Sequence, residues 1–299
     1  MRTAGLFLLL MAIMMGCDMK NNEAEQLHEN IMQYLEKQPG NYALSLLVPG
    51  ENGFEVNIKE EDVFHAASTM KVPVMLEVYK RVAQGTLHLD QMVLVENTFI
   101  SLADSSQYSL NKDRDTGIHL YDSLGKSVPL QSLVYDMIVY SSNLATNLII
   151  DNVLHGGTSI TKSLNEYDIE GIEVLRGVED MKAYEAGMNN KTTAKGLTNM
   201  FLFMLTDSAL DERHRKEMFS ILVDQDDASM IPALLPENVR VAHKTGWINR
   251  HRHDSGIVFL NNDEWYVLTV LSSDLENEEQ GEATIANISK MIYNFLIER

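Results

Sequence analysis

The strand-like segments lie near the two ends of the chain, and this distribution constrains the fold more than any other feature. Runs rich in β-branched and aromatic residues, separated by polar turns, occur at 42–48, 53–58, 239–247, 256–260 and 265–272. We expect the two early runs and the three late runs to pair in one antiparallel sheet. Such a sheet brings the chain ends together and leaves the middle of the chain to form a second lobe.

Helical periodicity, in which apolar residues recur every three or four positions, accounts for much of the remaining chain. It predicts helices at 26–37, 70–83, 129–139, 143–154, 193–206, 211–223 and 282–297. The predicted fold class is α+β, an α/β sandwich in which helices flank a five-stranded antiparallel sheet, with an all-helical lobe inserted. The α/β lobe is expected at about 26–83 and 236–299, and the helical lobe at about 84–235.

The composition excludes several classes of protein and site. The chain has 299 residues, enough for one or two domains, and its 45% hydrophobic and 22% charged residues are typical of globular proteins. A formal net charge of −19 argues against nucleic-acid partners, because phosphate backbones are themselves anionic. One cysteine excludes an intramolecular disulfide and a cysteine-based zinc or iron–sulfur site held by this chain alone.

His251 and His253 have a spacing found in zinc sites, because residues i and i+2 of a strand share a face. Such sites need further His or Asp ligands at set positions, and the sequence has no His-x-x-x-His pair. We therefore expect no metal and no cofactor, and instead a turn hydrogen-bonded by His253 and Asp254.

The first 17 residues are typical of a secretory signal. The uncharged, mostly apolar run Ala4–Met15 is too short to cross a bilayer comfortably and ends just before Cys17. The segment resembles a bacterial lipoprotein signal, in which this cysteine is lipidated and becomes the mature N-terminus. We expect an exported protein, periplasmic or at the cell surface, with a lipid anchor as its membrane contact and a polar tether at 18–25. The alternative, an ordinary signal peptide with a chance cysteine, also exports the protein.

The first motif with chemical meaning is Ser68-Thr69-Met70-Lys71. Pro73 is best tolerated near a helix start, so we expect the helix to begin at about Ser68, at the positive end of the helix dipole. Lys71 lies three positions on, within reach of Ser68, and a lysine of lowered pKa can activate a serine. Alone the motif is weak, since a second Ser-x-x-Lys begins at Ser159.

Two further motifs follow. Ser141-Ser142-Asn143 lies between two predicted helices and offers a hydroxyl and an amide in a short connection. Lys244-Thr245-Gly246 lies in a predicted strand, where a glycine leaves room for a substrate backbone alongside. A second cation from this strand would help to lower the pKa of Lys71.

Together, Ser-x-x-Lys, Ser-x-Asn and Lys-Thr-Gly in this order are the signature of serine β-lactamases and penicillin-binding proteins. The chain resembles class A β-lactamase-like serine hydrolases over roughly residues 26–299, with Phe64–Pro73 and Tyr140–Ile150 similar to the family's first two motif segments. The resemblance implies that Ser68 attacks the substrate carbonyl and is acylated. It also implies that Lys71 accepts or relays the proton and that Ser141 passes a proton to the departing nitrogen.

The same resemblance implies a set of substrate-binding residues. Asn143 would bind the substrate side-chain amide, and Lys244 with Thr245 its carboxylate. Gly246 and Trp247 would continue this edge of the site. The oxyanion hole would use the backbone N–H groups of the nucleophile and of Trp247, donors that are typically worth about 10²–10³ in rate each.

The deacylation step is less well specified. Class A enzymes use a glutamate in a Glu-x-x-Leu-Asn segment before a Thr-Thr helix start, which is Thr192-Thr193 here. We assign Glu185, because Glu-Ala-Gly-Met-Asn resembles that segment, although it lies closer to the threonines than the family pattern has it. Glu179 lies nearer the expected distance but lacks the trailing Leu-Asn. A third alternative is that neither glutamate positions a water.

Two other positions depart from the family pattern. Ser142 stands where the lactamases usually carry aspartate, and Ser255 stands where an arginine usually precedes a strand glycine. We expect Arg250 and Arg252, in the preceding turn, to replace the carboxylate contact of that arginine.

The sequence leaves three functions open. The favoured one is a class A-type serine hydrolase that opens β-lactam amides and acts as a monomer. The alternative is a penicillin-binding protein that cleaves D-Ala-D-Ala peptides or esters and deacylates slowly. The third is a lipid-anchored binding or sensor domain that retains the fold without catalysis.

Overall fold

The protein is described here by a computed structural model that covers residues 23–260 and 264–298. In chain order its strands are β1 Asn41–Val48, β2 Phe54–Ile58, β3 Phe64–His65, β4 Met92–Leu94, β5 Phe99–Ile100, β6 Gln107–Tyr108, β7 Ser127–Pro129, β8 Ile172–Glu173, β9 Lys191–Thr192, β10 Arg240–Ile248, β11 His251–Phe259 and β12 Trp265–Ser273.

Five of these strands form the expected antiparallel sheet from both parts of the chain, in the order β10-β11-β12-β1-β2. The late strand β12 pairs with the early strand β1, with Leu44 opposite Val270. Strand β11 begins at His251, five residues before the predicted start. The reason is a two-residue connection from β10, in which Arg250 adopts the left-handed conformation at φ 62°.

The seven predicted helices are present to within a few residues, except that the one predicted at 143–154 is an α-helix only to Leu148 and continues as a π-helix, Ile149–Val153. Two short helices, Thr158–Asn165 and Met181–Glu185, have no counterpart in the prediction. In chain order the α-helices are α1 23–35, α2 Lys71–Ala83, α3 Leu130–Val139, α4 Asn143–Leu148, α5 Thr158–Asn165, α6 Met181–Glu185, α7 Ala194–Thr206, α8 Glu212–Val223 and α9 Glu278–Ile297. Residues 23–25, assigned to the tether from sequence, already belong to α1. The signal segment with Cys17 and the rest of the tether lie outside the described residues.

The central sheet separates two apolar cores. On one face, Leu44 and Leu46 of β1 pack with Ile31 of α1 and with Ile285 and Ile288 of α9, and all five are buried. On the opposite face, residues of the sheet pack against α7 and the helices of the lobe. Successive strand residues point to opposite faces, which is why a single strand can supply both cores.

The lobe between the early and late strands is mainly helical but also contains short strand pairs. The pairs β4-β7 and β5-β6 brace its loops, and a three-stranded sheet β3-β9-β8 crosses from the α/β lobe into it. Phe64 of β3 pairs with Thr192 of β9, so the segment before Ser68 is tied to the segment after Glu185. Among the residues that the structure covers, no helix has both the length and the hydropathy of a membrane span.

The packing of α9 gives a test of this fold. Replacing Ile288 by alanine removes a fully buried side chain from the core, and we expect the free energy of unfolding to fall by about 2–5 kcal/mol. Ile297 of the same helix is 56% exposed, so Ile297→Ala is expected to cost less than about 0.5 kcal/mol. Urea unfolding of both variants measures the difference, and equal losses would contradict the assignment of this helix face.

Candidate active site

Ser68 lies on a 3-10 turn, Ala67–Met70, that runs directly into α2, so the expected helix start is confirmed. Ala67 adopts the left-handed conformation at φ 46°, and its N–H donates to His65 Nδ1 at 3.0 Å. Ser68 lines a cavity of about 450 Å³ between the two lobes, and its hydroxyl makes no hydrogen bond to any residue of the described chain. The serine is therefore open to a ligand in the cavity.

Lys71 joins the first motif to the second. Its fully buried ammonium donates to the Ser141 carbonyl oxygen at 2.6 Å, to Ser141 Oγ at 3.2 Å and to Asn143 Oδ1 at 2.9 Å. It lies one 3-10 turn after Ser68, and residues three apart in such a turn share a face. Two residues of the second motif, about 70 positions further along the chain, thus bind the lysine nitrogen of the first.

A tight local structure holds the second motif in place. Ser141 has φ 54°, a left-handed conformation that is uncommon for residues other than glycine. Asn143 begins α4, and Ser142 is buried at the N-cap, where its Oγ accepts from Ala145 N at 3.2 Å. The serine that replaces the family's usual aspartate is therefore a helix cap.

Asp115 is a site residue that the sequence analysis missed. Its buried carboxylate accepts from Asn143 N at 2.9 Å and from Leu144 N at 2.9 Å, at the N-terminus of α4. A negative charge at this helix end is favourable and fixes the Asn143 backbone. No local motif marks Asp115, because its partners come from a different part of the chain.

The third motif lies on β10 beside the nucleophile. Lys244 and Thr245 are buried beneath the cavity and do not line it, whereas Trp247 lines it and is half exposed. A Cβ on Gly246 would lie 3.0 Å from Thr69 N and 3.1 Å from Ser68 N. The glycine therefore lets the strand approach the catalytic turn, and the space it leaves is not the room for substrate that the sequence suggested.

Two buried ammonium groups determine the electrostatics of the site. Burial lowers the pKa of Lys71 well below its usual value, and the charge of Lys244 lowers it further, against the opposing effects of Asp115 and Glu179. Burial also lowers the pKa of Lys244 to about 8, although Asp227 and another nearby carboxylate favour its charged form. Lowering the pKa of Lys71 makes its neutral amine accessible, as a general base requires.

Comparison with known proteins shows to which family a chain with this site belongs. A family model described as the β-lactamase enzyme family matches residues 23–296. The chain belongs to this family. It is therefore a hydrolase of the serine β-lactamase type, and the resemblance stated from the three motifs is confirmed.

Individual relatives of this family member are distant. β-Lactamase VEB-1 of Pseudomonas aeruginosa is 21% identical over 98% of this chain and 98% of its own length. The structure of PBP-A superposes with a TM-score of 0.77 at 23% identity, covering 92% of this chain and 97% of PBP-A. The structure of a β-lactamase from Xanthomonas campestris gives a TM-score of 0.79 at 19% identity, covering 92% and 98%. The predicted fold class is confirmed by these neighbours.

The structure of this β-lactamase-family hydrolase brings Glu179, and not Glu185, to the cavity. Glu179 lines the cavity, and its Oε1 accepts from Asn143 Nδ2 at 2.8 Å. Glu185 is the last residue of α6, is exposed and does not line the cavity. The assignment of Glu185 is therefore not supported by its position, because α6 carries that side chain away from the nucleophile into solvent.

Hydrogen bonds between its two ends hold the loop that carries Glu179. Arg176 donates to Met188 O at 2.8 Å and to Asn189 Oδ1 at 3.1 Å, so the asparagine of the expected Glu-x-x-x-Asn segment fastens this loop. Buried Asn147 accepts from Val178 N at 2.6 Å, directly beside the glutamate. Sequence reasoning identified the glutamate as an alternative but gave no signal for these contacts between distant residues.

Arg250 and Arg252 do not reach the cavity, which corrects their expected role. Arg252 donates to Glu282 at 2.7 Å and to Glu278 at 2.6 Å, both on α9, and neither arginine lines the cavity. The guanidinium of Arg250 lies 3.7 Å from the carboxylate of Asp274. The charge of Arg252 is thus directed to the acidic start of α9, and that of Arg250 to the segment just before this helix.

His253 has a structural role different from the expected turn. It is fully buried, its Nδ1 accepts from Ser272 N at 3.1 Å, and its Nε2 lies 2.9 Å from the carbonyl oxygen of His65. These contacts place the N–H on Nε2, so the ring supports the segment before the nucleophile. Within the described residues, no three His, Cys, Asp or Glu side chains cluster as metal ligands.

The proximity of the two lysines predicts a measurable electrostatic effect. Replacing Lys244 by methionine removes a positive charge that lowers the pKa of Lys71, so we expect that pKa to rise. A titration of the lysine ε-carbons by NMR measures this pKa. The exposed lysine of the second Ser-x-x-Lys motif provides the control, since Lys162→Met is expected to leave the titration of Lys71 unchanged. An unchanged pKa of Lys71 in Lys244→Met would contradict the coupling.

Proposed function

We propose that this protein is a serine hydrolase of the class A β-lactamase type, which opens β-lactam amides through an acyl-enzyme on Ser68. The observation that carries the proposal is the Lys71 ammonium, which contacts Ser141 and Asn143 next to a serine open to the cavity. A buried lysine that contacts the Ser141 hydroxyl and lies one 3-10 turn after Ser68 can move protons during both bond formation and bond cleavage.

In the acylation step, neutral Lys71 takes the proton of Ser68 Oγ while that oxygen bonds to the lactam carbonyl carbon. The carbonyl electrons move to its oxygen, which the N–H groups of Ser68 and Trp247 stabilise. When the tetrahedral centre collapses, the carbon–nitrogen bond breaks. Ser141 gives its proton to the departing nitrogen and regains one from the Lys71 ammonium, 3.2 Å away.

The cavity supports a small-molecule substrate with an apolar acyl group. Its volume of about 450 Å³ is in the range of ligand pockets, and Val178, Met181, Tyr184 and Trp247 supply apolar walls. Asn143 provides a side-chain amide beside Ser68 for the amide of such an acyl group.

For deacylation we propose Glu179 as the residue that activates water. It shares Asn143 with Lys71, so carboxylate, amide and ammonium form one hydrogen-bonded series at the cavity wall. The proton of the attacking water would pass to Glu179 as the new oxygen–carbon bond forms. The ester bond would then break as a proton is delivered to Ser68 Oγ, which restores the free serine and the Glu179 carboxylate. Without this step the protein would behave as a penicillin-binding protein that holds its adduct.

We also propose that the segment before the catalytic domain exports the protein and that Cys17 carries a lipid. The support is the apolar run that ends at this cysteine. Labelling of cells with a fatty-acid analogue is expected to mark the wild-type protein and to leave Cys17→Ser unlabelled. Equal labelling of both would contradict lipidation at this residue.

Mass spectrometry of the protein over time, with one penicillin and one cephalosporin, tests acylation and deacylation separately. We expect a transient adduct on Ser68 and none on Ser68→Ala. In Glu179→Gln the adduct should still form but should be hydrolysed about 10²–10⁴ times more slowly, because the general base is lost.

Glu185→Gln is the matched control, since this exposed carboxylate does not line the cavity. Its adduct is expected to turn over at the wild-type rate. Absence of any adduct in the wild type would contradict the proposed function. A stable wild-type adduct would contradict only the deacylation step and would favour the penicillin-binding alternative.

A further inference from the structure

His65 lines the cavity, yet the proposed mechanism gives it no role. It lies three positions before the nucleophile, at the end of the short strand β3. Its side-chain Nδ1 accepts the backbone N–H of Ala67 at 3.0 Å. A side chain at position i that accepts from the N–H of residue i+2 is the arrangement by which asparagine and aspartate stabilise turns. The imidazole therefore closes a turn directly before Ser68.

The residue that His65 holds has an uncommon backbone conformation. Ala67 has φ 46°, a left-handed value that crowds the Cβ of an L-residue against the following carbonyl oxygen. Ala67 and Ser68 share one planar peptide group, so the φ and ψ of Ala67 set the direction of the Ser68 N–H. That N–H is a donor of the proposed oxyanion hole. A hydrogen bond that fixes Ala67 therefore orients both the nucleophile and one oxyanion donor.

His65 is itself anchored, so its ring is a fixed acceptor. Its carbonyl oxygen accepts from His253 Nε2 at 2.9 Å, and the next residue, Ala66, donates its N–H to the Asn190 carbonyl at 2.9 Å. The ring of Tyr184 packs edge-on against the imidazole, with the ring centroids 5.9 Å apart. These contacts fasten the segment before the catalytic turn to β11, to the residue before β9 and to α6.

We propose that His65 is a positioning residue for the nucleophile: its neutral imidazole holds the Ala67 N–H and so keeps Ser68 aligned for acylation. This inference rests on the proposed function. His65 does not touch the reacting atoms and acts through Ala67. Without the acceptor, the Ala67 N–H loses its partner and the backbone before Ser68 is free to leave the left-handed conformation.

The ring can accept this hydrogen bond only while it is neutral. Because Nδ1 accepts from Ala67, the single ring proton is on Nε2, and a second proton would occupy the lone pair that accepts. Burial, together with the charges of Arg176 and His251, lowers the pKa of His65 to about 4. The acceptor is therefore available at neutral pH and is lost as the pH falls through about 4.

The other ionisable groups packed around His65 are compatible with a neutral ring. Burial lowers the pKa of His253, whose Nε2 donates to the His65 carbonyl, to about 3. Lys191 lies opposite His65 in the β3–β9 pair, and its ammonium is paired with Glu173 at 3.1 Å. The remaining ionisable neighbour is the Tyr184 ring. Within the described residues, no carboxylate forms an ion pair with His65 that would hold it protonated.

The test compares side chains with and without an acceptor at position 65, by the rate at which a cephalosporin forms its adduct on Ser68. Leucine fills a similar volume but accepts no hydrogen bond, and we expect His65→Leu to acylate about ten- to a hundredfold more slowly at pH 7. Asparagine is smaller but accepts from residue i+2, so His65→Asn is expected to stay within about threefold of the wild type. Equal rates in the two variants, or a faster His65→Leu, would overturn the inference, because a ring that only fills space is better replaced by leucine.

The pH profile of acylation gives a second readout that packing alone would not change. In the wild type we expect the rate to fall as the pH drops through about 4, because the protonated ring cannot accept from Ala67. The amide of His65→Asn does not titrate, so this loss is expected to disappear in that variant. His155→Asn is the matched control, since His155 is exposed and does not line the cavity, and it should keep the wild-type rate and profile. The same acid loss in His65→Asn as in the wild type would contradict the inference.

An NMR titration without substrate separates this inference from the proposed function. In the wild type we expect the amide signals of Ala67 and Ser68 to shift with the titration of His65, and in His65→Asn we expect no such shift. Amide signals that follow His65 in a protein that forms no adduct would refute only the proposed function. An adduct on Ser68 combined with amide signals or acylation rates that do not depend on residue 65 would refute only this inference.

Discussion

The active site depends on burying the ammonium of Lys71 among oxygen atoms from the second motif. A charged amine is costly to remove from water unless it is hydrogen-bonded, and here the Ser141 carbonyl, the Ser141 hydroxyl and the Asn143 amide accept from it. This one nitrogen thereby joins the nucleophile helix to the helical lobe. The same burial lowers the pKa of Lys71, so the contact that assembles the site also prepares its proposed base.

The carboxylates around the two lysines offset part of the cost of burying them. Asp115 lies at the start of α4 and favours the charged form of Lys71, while Asp227 and Asp254 favour that of Lys244. Asp254 is itself held at 2.9 Å by Ile231 N and also lies 2.9 Å from His243 Nδ1. Some of the carboxylates of this acidic chain are thus buried, where they stabilise the charged lysines next to the cavity.

Much of the fold could be predicted because it rests on local patterns. Alternation and helical periodicity reflect which side chains face a core, and the five long strands and the main helices follow them. The predicted start of β11 was too late, because the residues from His251 onward are polar and lack the hydropathy pattern of a strand. They belong to the strand through backbone pairing with β10, which hydropathy does not report.

The sequence by itself determined the three motifs, the order in which they occur and the family to which the chain belongs. Tertiary structure decided which of the other polar residues join them. Glu179 rather than Glu185 reaches the cavity because α6 begins between them. Arg252 turns away because α9 offers it carboxylates, and Arg250 lies near Asp274. Asp115 reaches the site through its contacts with the backbone of Asn143 and Leu144, residues distant in sequence. Motifs are local and can be recognised in the sequence alone. The partner of a charged side chain depends instead on which groups the packed helices and strands bring within hydrogen-bonding distance.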